Sequence, residues 1–404
     1  MLLITAVNVT GSSILSTQGE QVMDRAVNLD TYSYTEYHPM AEIYEWIVQL
    51  REMSADTVIQ HLLGVTHKSP PMYYLKISQL SSTPKKIIWM DCGIHARDWI
   101  APAFCQWFVK EILQNYEGSS RISRFLETLD LYVLPVLNID RCMYTWTPMS
   151  SLTLDQLWRK SRSSHNNGSC CGSDLNRNFN ISWCSSGAST NCQDIIFCDR
   201  ATGDGTGPEA EPETKAVANL IESRKEDMLC SLAIHCHGQL ILVLYGCTTN
   251  KPSNQEEMIQ VGEKEANTLR AKHGTNYRVE SSADILYKTF GSSRDWTGHI
   301  EIPFSYTSEL RDNGTHEFIL PEEQMRPTCE VAMEAVLSIL DVAHAKYWLS
   351  RAAGKLTCTS AVLTCCHLPV SALDAASPGL CDLGDADVVA GKVWAVVGKT
   401  KSWS

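Results

Sequence analysis

The segment Trp89-Met90-Asp91-Cys92-Gly93-Ile94-His95-Ala96-Arg97-Asp98-Trp99 sets an imidazole and a carboxylate three residues apart, just past a short apolar run. His95 and Asp98 at this spacing could share one metal, since zinc accepts both donor types at about 2.0 to 2.2 Å. The competing reading makes Asp98 the N-cap of a helix that begins near Trp99. A second apolar run ends in Ala233-Ile234-His235-Cys236-His237-Gly238. His235 would complete two nitrogens and one oxygen and leave a fourth position open, which is the ligand count of a catalytic zinc. Such a site needs a carboxylate base. Ser305-Tyr306-Thr307-Ser308-Glu309-Leu310-Arg311-Asp312 offers Glu309 inside a run that otherwise reads as buried; an ion pair with Arg311 or an edge position would account for it equally.

These residues need a scaffold that brings distant strand ends together. Residues 72–78, 86–94, 129–139, 228–235, 241–245 and 304–310 are short apolar or β-branched runs beside turn signals and predict strands, most of them buried. Amphipathic stretches at helical spacing fall at 99–114, 209–224, 255–272 and 321–347. The expected fold is α/β, a buried mixed or parallel sheet flanked by helices on both faces, with ligands gathering at strand exits. Two regions break the rhythm. Residues 161–207, rich in Ser, Asn, Gly and Cys, predict a long loop held by disulfides. Residues 352–404, with scattered Pro, Gly and Cys, predict a disordered tail that ends in Lys401-Ser402-Trp403-Ser404 without a lipid-anchor signal.

A chain of 404 residues with 44% hydrophobic content builds a sizeable core. Its formal net charge of -12 argues against nucleic-acid partners, because nothing would neutralise the phosphates. No run of eighteen apolar residues predicts a transmembrane segment. Sixteen scattered cysteines, together with sequons at Asn8, Asn167, Asn180 and Asn313, favour disulfides and an extracellular, glycosylated product. The start, Met1-Leu2-Leu3-Ile4-Thr5-Ala6-Val7, lacks a basic region and makes a poor signal peptide. Gly203-Asp204-Gly205-Thr206-Gly207 lacks the Gly-Lys of a phosphate loop.

Five ordered blocks carry a family resemblance: Asp91-Cys92-Gly93-Ile94-His95-Ala96-Arg97, Leu157-Trp158-Arg159-Lys160, Asp174-Leu175-Asn176-Arg177-Asn178-Phe179, Glu211-Pro212-Glu213-Thr214-Lys215 and Glu309-Leu310-Arg311-Asp312. Over roughly Tyr32 to Tyr347 the chain resembles the zinc metallocarboxypeptidases of the carboxypeptidase A/B group. The resemblance implies an eight-stranded mixed, twisted sheet in a catalytic domain of residues 32–351. It leaves residues 1–31 as a short prodomain remnant and residues 352–404 as a tail outside the family. It also implies one Zn2+ per chain held by His95, Asp98 and His235, with Glu309 as general base. Arg159 would stabilise the oxyanion, while Asn176, Arg177 and Tyr287 would grip the substrate's terminal carboxylate. Arg97 matches a subsite arginine. The pairs Cys92 with Cys105, Cys170 with Cys192, and Cys184 with Cys198 follow from the resemblance, with Cys171 a competitor for Cys192. Peptide C-termini are the implied substrates, and a secreted monomer is expected.

Several departures qualify this picture. The family pattern His-x-x-Glu is here His95-Ala96-Arg97-Asp98, one methylene shorter, so the carboxylate is expected to fall about 1 to 1.5 Å short and weaken metal binding. The alternative function is therefore a weakened or noncatalytic carboxypeptidase-like binding protein. Cys236 and His237 stand where relatives have Ser and Tyr, Arg141 replaces a turn glycine, Ser308 replaces an aromatic residue, and residues 199–204 look inserted. A thiol hydrolase built on Cys236 is a third, remote option. Arg294 matches the floor of the specificity pocket, where a guanidinium predicts a preference for C-terminal Glu or Asp; the rival reading pairs it with Asp295 at the surface.

Overall fold

The computed structural model describes residue 29 and residues 31–146, 157–165, 170–185, 189, 191 and 207–364, with side chains undescribed at His165, Cys170, His273 and 349–364. The chain divides into two units, Met1–Leu349 and Ser350–Ser404. The first contains α1 (Met40–Met53), β1 (Val58–Val65), β2 (Pro71–Ile77), β3 (Lys86–Cys92), α2 (Ile100–Asn115), α3 (Ser120–Thr128), β4 (Leu129–Leu134) and α4 (Ile139–Thr145). It continues through the two-residue pair β5 (Ser164–His165) and β6 (Cys170–Cys171), then α5 (Pro212–Ser223), β7 (Met228–His235), β8 (Leu240–Val243), α6 (Gln255–His273) and β9 (Arg278–Ser281). The last elements are α7 (Ser282–Ile285), α8 (Ser293–His299), β10 (Phe304–Glu309) and α9 (Met325–Thr364). Helix α9 runs past Ala352, and in the second unit only its backbone, to Thr364, is described.

Eight strands form one mixed sheet in the order β1-β2-β4-β3-β7-β10-β8-β9, the α/β arrangement that the resemblance implied. The four central strands, β4, β3, β7 and β10, run parallel. All of β7 and β4 is buried, and so is β3 after Lys86, which is why the sequence shows continuous apolar runs there rather than alternation. Helix α1 covers the sheet with Met40, Ile43, Trp46, Ile47 and Leu50, an i, i+3, i+4 stripe. Helix α2 buries twelve of its sixteen residues. The central strands and helices α2, α5, α6 and the first part of α9 coincide with the segments read from periodicity, whereas the fourteen-residue α1 was not among them. The run predicted as 129–139 splits, because Asn138 and Ile139 turn into α4. The edge strands β1 and β9 carry no such signal: β1 leaves Ile59, Leu62 and Val65 exposed, and β9 has four residues of which two are charged. Among the described residues, no helix is long and apolar enough to cross a membrane.

Candidate active site

Sheet register assembles the site. Strands β3 and β7 pair Cys92 with Ile234, so the chain after Cys92 leaves the sheet beside His235. Gly93, at φ 67°, makes the exit; a Cβ there would stand 3.0 Å from Pro102. The chain then doubles back, with the Asp98 amide donating to the His95 carbonyl at 3.2 Å. On the other side of β7, β10 pairs Glu309 with His235. A glutamate, two histidines and an aspartate distant in sequence thus meet at the carboxyl ends of three adjacent parallel strands, where α/β sheets place their ligands.

His95 Nδ1 lies 3.1 Å from Asp98 Oδ2 and 3.1 Å from His235 Nδ1, and His235 Nδ1 lies 3.7 Å from Asp98 Oδ2. Tetrahedral bonds of about 2.0 to 2.1 Å put neighbouring donors about 3.3 Å apart, so one point within bonding distance of all three exists without moving a side chain. The tight 95–98 turn brings the shorter Asp98 side chain to within 3.1 Å of His95 Nδ1. Asp98 Oδ1 is buried without a protein partner, and Oδ2 faces the Cys236 amide at 3.4 Å rather than capping α2, whose N-cap is Trp99. Burial, followed by the neighbouring His95, holds His235 well below the usual histidine range; its neutral form is the one that binds metal. The donor set and its spacing fit zinc.

Asp174 stands behind this group. Its Oδ1 is 3.3 Å from His95 Nε2, and its Oδ2 accepts from Arg159 Nε at 2.7 Å. Burial alone would raise Asp174, but Arg159 and His95 hold it well below the usual carboxylate range. The same pairing outweighs the burial of Arg159 and raises it. Glu309, by contrast, is pushed up to about 8 by burial and by Asp98. It forms no ion pair with Arg311, which donates to Thr275 Oγ1 at 2.6 Å.

A cavity opens from these groups, lined by His95, Arg159, Asn176, Arg177, Tyr287, Arg294 and Glu309 among others. Asn176 is oriented by Ser293, whose amide donates to Asn176 Oδ1 at 3.0 Å, leaving the amide nitrogen of Asn176 for a ligand. Arg177 is anchored through Nη1 to the Asn176 carbonyl at 2.6 Å, with Nε buried and unpartnered. Gly291 permits this packing, since a Cβ there would meet the Arg177 carbonyl oxygen at 2.3 Å. Tyr287, 59% exposed, stands at the mouth. Arg97 lies apart from the cavity lining: its guanidinium stacks on Phe318 at 3.7 Å and donates to the Leu157 carbonyl at 3.3 Å.

Arg294 does pair with Asp295, at 3.2 Å, but not at the surface: it is 4% exposed and lines the cavity. Asp295 is held independently by the amides of Gly246 at 2.9 Å and Cys247 at 2.7 Å. Around Gly246, a Cβ would lie 2.4 Å from Thr289 Oγ1, 2.8 Å from Arg294 Nη2 and 3.2 Å from Ser282 Oγ, so only glycine lets these polar atoms pack against the backbone there. Burial, Asp98 and Glu309 raise the Cys236 thiol well above its usual range, the opposite of what a thiolate nucleophile requires.

The zinc carboxypeptidase family model matches residues 43–335, a span that contains every residue of this site. The chain belongs to the zinc carboxypeptidase family. This metallocarboxypeptidase is 64% identical over 353 residues to bovine carboxypeptidase O, covering 86% of the chain and 91% of that relative. It is 62% identical over 352 residues to human carboxypeptidase O, with the same coverage. Among solved structures, bovine thrombin-activatable fibrinolysis inhibitor in complex with tick carboxypeptidase inhibitor superposes with a TM-score of 0.70. That match is 36% identical and covers 78% of this chain and 99% of that one. The chain is accordingly a peptidase enzyme.

Sequence reasoning passed over Asp174, although the residue opens the Asp174-Leu175-Asn176-Arg177-Asn178-Phe179 block. Its signal was weak because an aspartate before a turn reads as a cap, and it does accept from the Asn176 amide at 2.9 Å. Ser282 and Thr289 were also missed; hydroxyl residues announce no chemistry until a cavity closes around them. The carboxypeptidase has the Cys92–Cys105 disulfide, which ties the end of β3 to α2. Cys184 is disulfide-bonded as well. Cys192, Cys198, the side chain of Cys170 and the 199–204 insertion lie outside the described residues, while Cys171 carries a free thiol.

Proposed function

We propose that this metallocarboxypeptidase removes single C-terminal residues from peptides, with a preference for Glu and Asp, using one zinc ion held by His95, Asp98 and His235. The observation that carries this reading is the ladder-fixed placement of Glu309 beside the three-donor set, with Arg159, Arg177 and Arg294 lining the same cavity. Arg177, with the free amide nitrogen of Asn176 and the Tyr287 hydroxyl, suits a terminal carboxylate and excludes internal cleavage. The last side chain then enters the part of the cavity lined by Arg294, Thr289 and Ser282, where an acidic group finds charge and hydroxyl donors. The scissile carbonyl faces Arg159, kept charged by Asp174 and positioned where negative charge develops. The ion supplies Lewis acidity toward the carbonyl and the attacking water. Glu309 takes a proton from that water and returns it to the departing amine, a role suited to a carboxyl raised toward neutrality.

Donor separations within zinc's range weigh against the weakened or noncatalytic alternative. Extracellular residence is supported by the disulfides and by exposed sequon asparagines Asn180 and Asn313. The test combines zinc stoichiometry with turnover of blocked dipeptides. Wild-type protein should hold one zinc and lose turnover with a chelator. Glu309→Gln should keep the zinc while kcat falls by about 10^2- to 10^4-fold. Undiminished turnover in Glu309→Gln would remove this residue from the mechanism, and a zinc-free active enzyme would remove the metal.

A further inference from the structure

Arg159 lies in a stretch, residues 157–160, that is neither helix nor strand, so no ladder fixes its backbone. Asp174 holds the guanidinium, but the backbone that carries it is tied down from elsewhere. At one end Arg97 donates to the Leu157 carbonyl at 3.3 Å, and just past the other the Ser161 amide donates to the Ser173 carbonyl at 2.8 Å. Between these ties, the grip comes from the Asn138-Ile139-Asp140-Arg141 turn. Asn138 is the N-cap of α4, yet its side chain makes no capping bond. Instead its Nδ2 donates to the Ile94 carbonyl at 3.2 Å and to the Lys160 carbonyl at 3.3 Å. Both neighbours are acceptors, so the amide nitrogen and not its oxygen must face them. Ile94 immediately precedes His95, and Lys160 immediately follows Arg159. One buried amide thus spans from the metal-ligand turn to the arginine.

Arg141 adds a second arm. It is buried, and its guanidinium lies 3.7 Å from the centre of the Tyr144 ring and 4.6 Å from that of Trp158, the residue before Arg159. Trp158 in turn donates through Nε1 to the same Lys160 carbonyl at 3.0 Å. Arg141 stands where the resemblance places a turn glycine, which offers no such grip. The turn itself is anchored at the exit of β3: the Leu137 and Asn138 amides donate to the Cys92 and Gly93 carbonyls, each at 3.0 Å, and Asp140 accepts from the Lys68 amide at 2.7 Å. The geometry points to Asn138 and Arg141 as positioning residues, which fix residues 158–160 against the His95 turn and so set Arg159 relative to the metal-ligand group. This inference rests on the oxyanion role proposed for Arg159. Neither residue lines the catalytic cavity, so both act through the arginine. A donor to developing charge must be in place before the charge appears, and a displacement of about 1 Å can cost about a hundredfold in rate.

Turnover of a blocked dipeptide ending in Glu tests this, with zinc content and melting temperature measured on each purified full-length variant. Asn138→Asp removes both donors at nearly constant shape, and Arg141→Met keeps a buried stem without the cation. Each should lower kcat roughly 5- to 50-fold, while KM stays within about twofold and one zinc remains bound. Arg141→Lys, which still sets a cation against the rings, should recover most of that loss. In an Arg159→Ala background, itself about 10^2-fold slower, neither substitution should slow turnover by more than about twofold, because the group they aim is gone. Arg141→Met carries the test alone if Asn138→Asp does not fold. Wild-type kcat in folded Arg141→Met, or a loss as large in the Arg159→Ala background as in the wild type, would overturn the proposal. Undiminished kcat in Arg159→Ala itself would remove the oxyanion role, and the positioning role with it.

Discussion

Replacing Arg294 by glutamine separates its two readings, a substrate-reading cation and a structural partner of Asp295. Glutamine is preferable to aspartate, which would set a second carboxylate against buried Asp295. The fold should tolerate the change, because Asp295 keeps the Gly246 and Cys247 amides. For a C-terminal glutamate, the loss of a charge-assisted hydrogen bond costs about 1.5 to 3 kcal/mol. A carboxylate left desolvated and unpaired costs about 3 to 5 kcal/mol. The cavity opens to solvent at Tyr287, so a net loss of about 3 to 4 kcal/mol is reasonable, a fall of roughly 10^2- to 10^3-fold in kcat/KM. A substrate ending in Phe should change by less than about threefold, and one ending in Lys should improve, since Asp295 becomes the nearest charge. The assay compares kcat/KM for blocked dipeptides ending in Glu, Phe and Lys, with melting temperature as the control for folding. A Glu-to-Phe ratio within about threefold of wild type, at unchanged melting temperature, would show that Arg294 serves Asp295 and does not read the substrate.

Two further expectations follow from buried carboxyls. Asp174→Asn should weaken zinc affinity about 10- to 100-fold and lower kcat, because it removes the partner of both His95 and Arg159; unchanged zinc affinity would confine Asp174 to orienting the arginine. Glu265, 1% exposed with Oε2 unpartnered, is pushed up to about 8 by burial, whereas in the unfolded chain it ionises near 4.3. The folded state thus holds a proton that the unfolded state has lost, so stability falls as pH rises from about 5 to 8 and levels off above. Glu265→Gln should flatten that fall by a few kcal/mol in denaturant melts at pH 5 and pH 8; an identical pH dependence in the variant would show Glu265 already ionised in the fold.

The catalytic grammar was legible in the sequence because metal ligands, bases and anion-binding arginines are chemically distinctive and sit where apolar runs end. His95, Asp98, His235 and Glu309 stood out as candidates where apolar runs end, with a helix cap and an ion pair as rival readings, and the buried central strands announced themselves by unbroken apolar runs. What the sequence could not convey was distance. Whether Asp98 reaches the metal depends on how tightly residues 95–98 turn, a property of backbone geometry that residue identity does not encode. Arg294 and Asp295 are adjacent in any conformation, yet only the packing of residues 246, 282 and 289 around them makes a buried, polar cavity floor. Asp174 acquires its place from contacts across 79 residues to His95 and 15 to Arg159, which no local pattern records. The edge strands were invisible for a related reason: periodicity reports burial, and β1 is half exposed. Sequence by itself determined which chemistry the chain could perform; tertiary structure decided which groups are desolvated together, because burial and charge pairing are set by neighbours that the fold brings from elsewhere.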